Sequence, residues 1–128
     1  MTDPIVFISR NRVKDGMLAD FSKHYGNSVP LTEAAKPGTL VQLAYVDEDA
    51  AEVTIVRLFP SAEAMDRQLQ GADERSKVAY KFIEPTSIEI YGTPSSFSME
   101  MMKKVAGSGI AVSINPEFIG GFFRMKSG

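Results

Sequence analysis

The stretch Pro4–Val13, PIVFISRNRV, decides how the rest of the chain is interpreted. It is rich in β-branched residues, and its alternation predicts a first strand with two different faces. One face would carry Ile5, Phe7, Ser9 and Asn11, and the other would carry Val6, Ile8, Arg10 and Arg12. Because both faces begin with apolar side chains, the sequence predicts a sheet that is covered on both sides.

The next segments predict a helix followed by a hairpin. Lys14-Asp15-Gly16 breaks the strand, and an amphipathic helix then carries Met17, Leu18, Phe21 and Tyr25. We expect this helix to stop near Gly26-Asn27 and a separate helical turn to occupy Pro30 to Ala35. Two strands, Leu40 to Val46 and Val53 to Phe59, follow with an acidic connection, so an antiparallel pair is predicted.

A second helix and a fourth strand complete the pattern. Ser61 is the predicted N-cap, and the buried stripe begins with Met65 and Leu69. Gly71 should interrupt the helix, which would resume through Val78, Ala79, Phe82 and Ile83 and halt at Glu84-Pro85. Thr86 to Tyr91 alternates as a strand.

The order strand, helix, strand, strand, helix, strand predicts an α+β, ferredoxin-like βαββαβ fold with one antiparallel sheet and two helices on one face. We expect a single domain over residues 1–128, with the core at 4–92 and an extension at 93–128. The uncovered sheet face would expose a large apolar patch, so a homodimer through that face is predicted.

The extension predicts another helix and strand. Phe97, Met101 and Val105 lie at four-residue spacing before a Gly107-Ser108-Gly109 stop, and Ile110, Val112 and Ile114 then alternate. Gly120 to Met125 is predicted as a short final strand. Met99, Met101 and Met102 could form an adaptable ligand wall or ordinary packing.

Composition excludes several classes of function. Fourteen Lys+Arg against sixteen Asp+Glu give a net charge of −2, so neither a nucleic-acid partner nor a membrane partner is expected. The chain has no Cys, which removes disulfides and thiolate chemistry. The first residues lack a signal-peptide pattern and no apolar run approaches about 20 residues, which predicts a cytoplasmic protein.

Two stretches, SRNRVKDGMLADFSKHY at 9–25 and VTIVRLFPSAEAMDRQL at 53–69, resemble the antibiotic biosynthesis monooxygenase family. The resemblance implies a homodimeric α/β barrel with a pocket between sheet and helices. It also implies oxidation of a small apolar or aromatic molecule by oxygen, with no cofactor and no metal.

The related haem-degrading branch of the family uses an Asn, a Trp and a His. Asn11 matches the first, but Gln68 and Ala79 occupy the other two aligned places and the chain has no Trp. Haem degradation by that constellation is therefore not implied.

Three residues are the candidates for catalysis, each with a structural alternative. Asn11 could hold a phenolate or carbonyl oxygen, or it could stabilise the turn at the strand end. Arg57 lies on an apolar strand face, so it needs a partner, which could be an anionic substrate, Glu89 or a charge across the dimer interface. His24, the only histidine, could act as a base or could lie at a helix edge.

Four residues are the candidates for substrate binding: Tyr45, Phe59, Met65 and Tyr91. Tyrosines, including Tyr80, could position an aromatic substrate, although packing is the alternative for each. Two functions follow from these residues. The first is a cofactor-independent monooxygenase, and the second is a non-catalytic, small-ligand-binding or stress-related dimer of the same fold.

Overall fold

Strands and helices follow one another in the predicted order in the computed structural model, which describes residues 3–107 and 109–124. The elements are β1 (Ile5–Val13), α1 (Leu18–Ala35), β2 (Val41–Asp47), β3 (Glu52–Phe59), α2 (Ala62–Leu69), α3 (Ala72–Ala79), β4 (Ile83–Tyr91), α4 (Ser96–Ala106) and β5 (Ala111–Asn115). Among these residues, no helix is both long enough and apolar enough to cross a membrane.

The strands form one sheet in the order β2-β3-β1-β4-β5. The first four are antiparallel neighbours, and β5 from the extension adds to the edge of β4 in parallel. This arrangement confirms the α+β, ferredoxin-like prediction. β1 lies at the centre, so each of its two faces is the middle of one face of the sheet.

The predicted break in the first helix is wrong. α1 runs without interruption from Leu18 to Ala35 and contains both Gly26 and Pro30. Pro30 has no N–H to donate to the carbonyl of Gly26, but both residues are exposed, so water can satisfy that carbonyl. The hydroxyl of Ser28 donates to the carbonyl of Tyr25 at 2.7 Å and satisfies a second backbone acceptor nearby.

The boundary between the second helical region and β4 also differs from the prediction. Gly71 does interrupt the helix, with φ of 77°, but α3 ends at Ala79 and β4 already begins at Ile83. Pro85 therefore lies inside a strand. It pairs with Asn11 at a register shift in the β1–β4 ladder, where a residue without an N–H is tolerated.

The extension gives the predicted helix and strand but no final strand. α4 ends before Gly107, and β5 covers Ala111–Asn115. Residues 116–124 have no regular structure, so the strand predicted from Gly120 is wrong over the described residues, because no strand lies beside this segment to pair with it. Ser108 and Met125, which belonged to these predictions, lie outside the described residues.

A carboxylate on α2 fixes α4 against the rest of the fold. Asp66 accepts hydrogen bonds from the hydroxyls of Ser95 and Ser98, the latter at 2.7 Å. The Ser95 hydroxyl also caps α4 by accepting from the backbone N–H of Ser98 at 3.2 Å. Ser98 is fully buried, so this polar cluster holds the start of α4 on α2.

The face of the sheet away from the helices carries a group of apolar and aromatic side chains, some of them exposed. Residues that pair directly across a ladder share a face, so the register gives its members. They are Val6, Ile8, Val41, Leu43, Tyr45, Val56, Leu58 and Tyr91. Leu43 is 47% exposed and Tyr45 is 62% exposed. We call this set the outer sheet face.

The turn after β4 depends on one glycine. Gly92 has φ of +118°, and its N–H donates to the carbonyl of Asn115 at 2.8 Å. A Cβ at this position would lie 2.9 Å from the carbonyl oxygen of Pro4 and 3.0 Å from Ile5. The site therefore excludes a side chain through both conformation and space.

We predict that Gly92→Ala lowers the free energy of unfolding by about 1–3 kcal/mol, since it adds backbone strain and a clash with backbone. Urea denaturation followed by circular dichroism measures the change. Gly26→Ala is the matched control: it lies within α1 with open space around its Cβ and should raise stability by about 0.5–1 kcal/mol. Equal effects of the two substitutions would contradict the prediction.

Candidate functional site

A cavity of about 400 Å³ lies between the sheet and the helices. Its floor is the helix-covered side of β1, β3 and β4, and its walls come from all four helices. The floor carries Ser9, Asn11, Ile55, Arg57, Ile83 and Ile88, and the α1 wall carries Phe21, His24, Tyr25, Ser28, Leu31 and Thr32. The volume lies within the range of about 300–1,000 Å³ that is usual for small-molecule sites.

The cavity exists because the core is divided into two clusters. One cluster joins the sheet to α2 and α4 around Phe59, Met65 and Ile90, and the other joins it to α1 around Phe21 and Ile55. Phe21 is the only fully buried residue of α1 in the described structure. A helix held to the sheet by so little of its surface leaves space beside it, and that space is the cavity.

Arg57 lies on the cavity floor between its two cross-strand neighbours. Its Nε donates to Oε1 of Gln42 at 2.8 Å, and its guanidinium carbon lies 5.9 Å from the centre of the Phe7 ring. No carboxylate among the described residues forms an ion pair with it. Its two terminal nitrogens make no hydrogen bond to the described residues, so they remain free to donate to a ligand.

The surroundings of Arg57 lower its pKa. Desolvation by burial is the main cause, and the nearby positive charge of Arg75 acts in the same direction. An arginine remains cationic at neutral pH even so. The cavity floor therefore holds a poorly hydrated positive charge, which makes an anion at this point favourable.

The alternative that Arg57 pairs with Glu89 is not observed. Glu89 lies opposite Ile8, on the outer sheet face, where it forms an ion pair with Arg10 and accepts a hydrogen bond from Tyr91 at 2.7 Å. Arg57 lies on the other face of the sheet.

Asn11 is 3% exposed and lines the cavity with its amide in a defined orientation. Its Nδ2 lies 3.4 Å from the carbonyl oxygen of Val53 and 3.3 Å from the hydroxyl of Ser9. Because a carbonyl can only accept, the nitrogen must lie on that side of the amide. Oδ1 has no hydrogen-bond partner among the described residues, and it offers an acceptor to a ligand.

Gln42 links Arg57 to a tyrosine of α1. Its Nε2 donates to the hydroxyl oxygen of Tyr25 at 3.1 Å, while its Oε1 accepts from Arg57. The proton of the Tyr25 hydroxyl is not used by this bond and can be donated elsewhere. One amide thus orients both a cation and a phenol that line the cavity.

His24 lines the cavity from α1. Its ring lies 5.4 Å from the ring of Phe82, at an angle of 30°. Its nitrogens have no hydrogen-bond partner among the described residues. The structure thus brings Asn11, Arg57 and His24 to one cavity, as a shared site requires.

Tyr80 also lines the cavity, at the end of α3. Burial raises its pKa, while a hydrogen bond with Ser76 and the charge of Arg57 act in the opposite direction. The phenol therefore stays protonated at neutral pH. It can donate a hydrogen bond but is not a base there.

The four residues predicted to bind substrate do not line this cavity. Tyr45 and Tyr91 lie on the outer sheet face, because each pairs with a residue whose side chain faces away from the helices. Phe59 and Met65 lie in the core cluster under α2, at 1% and 0% exposure, and their surface is taken up by packing.

The polar residues of the cavity that were not predicted as site residues include Tyr25, Gln68 and Arg75. In the sequence, Gln68 stands only at the place aligned with the family's Trp, and in the structure its Oε1 accepts from the hydroxyl of Thr39 at 2.6 Å. Tyr25 had been assigned to the buried stripe of α1, four residues after Phe21, and that spacing does turn it toward the sheet. No pattern in the sequence around Arg75 distinguishes it from a solvated helix residue.

The cavity lining carries positive but no negative side chains. Within the described residues it contains Arg57 and Arg75, and neither Asp nor Glu. Elsewhere in residues 3–107 and 109–124, no group of three or more His, Asp or Glu side chains is placed to hold a metal ion. The chemistry that the lining offers is hydrogen bonding and anion stabilisation inside apolar walls.

Neither a scan against protein-family models nor a search of curated proteins finds a match. Solved structures do match. MupZ from Pseudomonas fluorescens has a TM-score of 0.71 at 14% identity and covers 97% of this chain and 91% of its own.

Two further structures match over a shorter part of the chain. SnoaB from Streptomyces nogalater, a cofactor-independent oxygenase, has a TM-score of 0.59 at 15% identity, covering 74% of this chain and 97% of its own. A Caulobacter crescentus protein described as a candidate antibiotic biosynthesis monooxygenase has a TM-score of 0.60 at 18% identity, covering 70% and 88%.

Among these three structures, MupZ covers the largest share of this chain. At such low identities a structural match shows the fold and leaves the reaction open. The chain therefore has the fold of the antibiotic biosynthesis monooxygenases, as its two characteristic stretches of sequence indicated.

Proposed function

We propose that this protein is a cofactor-independent monooxygenase that acts on a small apolar or aromatic molecule. The observation that carries the proposal is Arg57, an unpaired and desolvated cation on the floor of a cavity whose other walls are largely apolar. SnoaB, a cofactor-independent oxygenase of the same fold, supports this general kind of activity.

The reaction needs a substrate that supplies its own electrons. In a phenolic ketone of the anthrone type, loss of a proton gives an oxyanion whose negative charge is shared with a ring carbon. That carbon passes an electron to oxygen and then bonds to it. One oxygen atom remains as a new carbonyl, and the other leaves as water with the two hydrogens of the former CH₂ group, so no external reductant is required.

Arg57 and Asn11 have complementary roles in this scheme. Asn11 Oδ1, which has no partner among the described residues, accepts the hydrogen bond of the neutral hydroxyl group. Once the proton is lost, the terminal nitrogens of Arg57 stabilise the oxyanion. A fixed donor in an enclosed site can contribute a factor of about 10²–10³ to such a step.

His24 is proposed as the base, because it lines the same cavity and its nitrogens are not used by other described residues. Tyr80 and Tyr25 are proposed to hold the ring system through their faces and hydroxyl groups. Met101 and Met102 provide a wall that can adapt to an apolar shape.

We predict that Arg57→Gln lowers the rate of oxygen uptake about 100-fold with an anthrone substrate, because it removes the donor that stabilises the oxyanion. Asn11→Ala removes only a contact to the neutral hydroxyl group, so it is expected to raise the KM with little change in kcat. Uptake is measured with an oxygen electrode on metal-stripped protein and compared with a protein-free blank. Arg67→Gln is the matched control: Arg67 is exposed on α2 and does not line the cavity.

Uptake by the unmodified protein no faster than the blank would contradict the proposal, provided that the protein is folded. In that case a non-catalytic ligand-binding role becomes the better account of the same cavity. If Arg67→Gln lowers the rate of oxygen uptake as much as Arg57→Gln does, the loss of rate is not specific to the cavity.

The role of His24 has its own test. We predict that His24→Asn lowers the rate of oxygen uptake, because the variant has no imidazole there to accept the proton. Rates are measured on both proteins under the same conditions. An unchanged rate in His24→Asn would assign the base to another group.

We also propose that the chain forms a homodimer through the outer sheet face. Eight apolar or aromatic side chains share that face, and three of them, Leu43, Tyr45 and Tyr91, are exposed. A contiguous apolar patch of this kind is typical of an interaction surface. A two-fold arrangement would bury the same set on both copies.

We predict that Leu43→Lys converts the dimer to a monomer, since it places a charge within the proposed interface. Light scattering coupled to size-exclusion chromatography measures the mass. Val29→Lys is the matched control, because Val29 is similarly exposed at 38% but lies on α1, on the opposite side of the sheet. A monomeric unmodified protein, or an unchanged dimer in Leu43→Lys, would contradict the interface.

A further inference from the structure

We infer that Arg75 selects substrates that carry a carboxylate in addition to the reacting oxygen, so that the substrate class is an apolar aromatic acid rather than a neutral phenol or an ester. The inference deepens the proposed function, because it rests on the cavity being the substrate site.

The position of Arg75 is the first step. It lines the same cavity as Arg57, yet it is exposed to solvent, so it lies at the mouth of the cavity whereas Arg57 lies on the floor. Val78, on the same helix, and Leu31 are both exposed and also line the cavity. A ligand that reaches Arg57 therefore lies close to Arg75 as well, because Arg75 is near enough to help lower the pKa of Arg57.

The side chain of Arg75 is held in place. Its Nη1 donates to the carbonyl of Gln70 at 2.8 Å, and its Nη2 donates to the carbonyl of Gln68. These carbonyls lie at the C-terminal end of α2, where a cation is favourable. The bonds fix the guanidinium group but use only two of its five N–H donors, so the others remain for a ligand.

The charge of Arg75 is not cancelled by a carboxylate at the cavity. The acidic residue that acts on it is Asp73, but the carboxylate of Asp73 is bound by Lys104 at 3.0 Å and does not line the cavity. Arg75 in turn is close enough to Arg57 to help lower the pKa of Arg57. The described lining thus combines two arginines with no acidic residue. A ligand that carries two negatively charged groups would complement it.

The structural alternative is that Arg75 only caps α2. A cap would make the same two backbone bonds, and it would have no effect on which ligand binds. The two roles therefore differ in ligand preference and not in stability.

Binding separates them without any reaction. Isothermal titration calorimetry is carried out with anthraquinone-2-carboxylate and with its methyl ester, which cannot be oxidised in the same way and differ by one charge. We expect the unmodified protein to bind the acid about tenfold more tightly, as one charge-assisted contact would give. Arg75→Gln should bind both compounds with the affinity that the unmodified protein has for the ester.

Two further variants keep the test informative if Arg75→Gln does not fold. Arg75→Met keeps the aliphatic stem and removes the charge, so it should also lose the preference, while Arg75→Lys keeps the charge and should retain part of it. Arg67→Gln, the exposed arginine of α2, should keep the full preference. Thermal melting of each variant reports the capping role separately.

Equal affinity for acid and ester in the unmodified protein would overturn the inference, and so would a preference that persists in Arg75→Gln and Arg75→Met. Binding of neither compound would overturn it as well. A preference that depends on Arg75, in a protein without oxygen uptake, would leave this inference standing and remove only the proposed oxygenase. Oxygen uptake with a neutral anthrone, together with no preference for the acid, would leave the proposed oxygenase standing and overturn this inference.

Discussion

The desolvation of Arg57 constrains the whole helix-covered side of the sheet. A guanidinium group on the middle of that face cannot be packed against apolar side chains on every side without a large penalty. Here its Nε is satisfied by Gln42 and its flat surface lies near Phe7, while its terminal nitrogens are left toward open space. The core is accordingly divided into two clusters, and the cavity lies between them. The candidate site is thus the gap between the two core clusters.

Much of the fold could be predicted because each face of a strand has a distinct partner. The alternation of PIVFISRNRV put Asn11 on the face of Phe7, and the alternation of β3 put Arg57 on an apolar face of its own strand. The register of β1 against β3 shows that both are on the helix-covered face. The predictions were wrong at Gly26, Pro30 and Pro85, where the backbone preference of the residue disagrees with the element that tertiary packing forms there. In α1 the exposed backbone at Gly26 tolerates Pro30, and Pro85 occupies a bulge, so neither residue breaks the element that contains it.

The site residues could be predicted only where the alternation of side chains along a strand assigns them to a face of the sheet. Arg57 was recognisable as a charge within an apolar strand, but its partner Gln42 is on another strand and required the register of β2 against β3. Arg75 was not recognisable, since an arginine on a short polar helix is ordinary until that helix is seen at the mouth of a cavity. Tyr45 and Tyr91 were predicted to contact a ligand because they are aromatic. Their positions in the alternation of β2 and β4 place both on the outer sheet face instead.

The C-terminal extension has a direct physical connection to the cavity. Met101, Met102 and Val105 of α4 form part of its wall, and the start of α4 is held on α2 by Asp66 through Ser95 and Ser98. β5 then continues the sheet beside β4 and holds the other end of this segment. Without the extension, the space above Ile88 would be open to solvent, and a charge on the floor of the cavity would be hydrated. The βαββαβ core positions Arg57, but the extension helps to keep water away from it, and that exclusion is what makes the charge effective toward an anion.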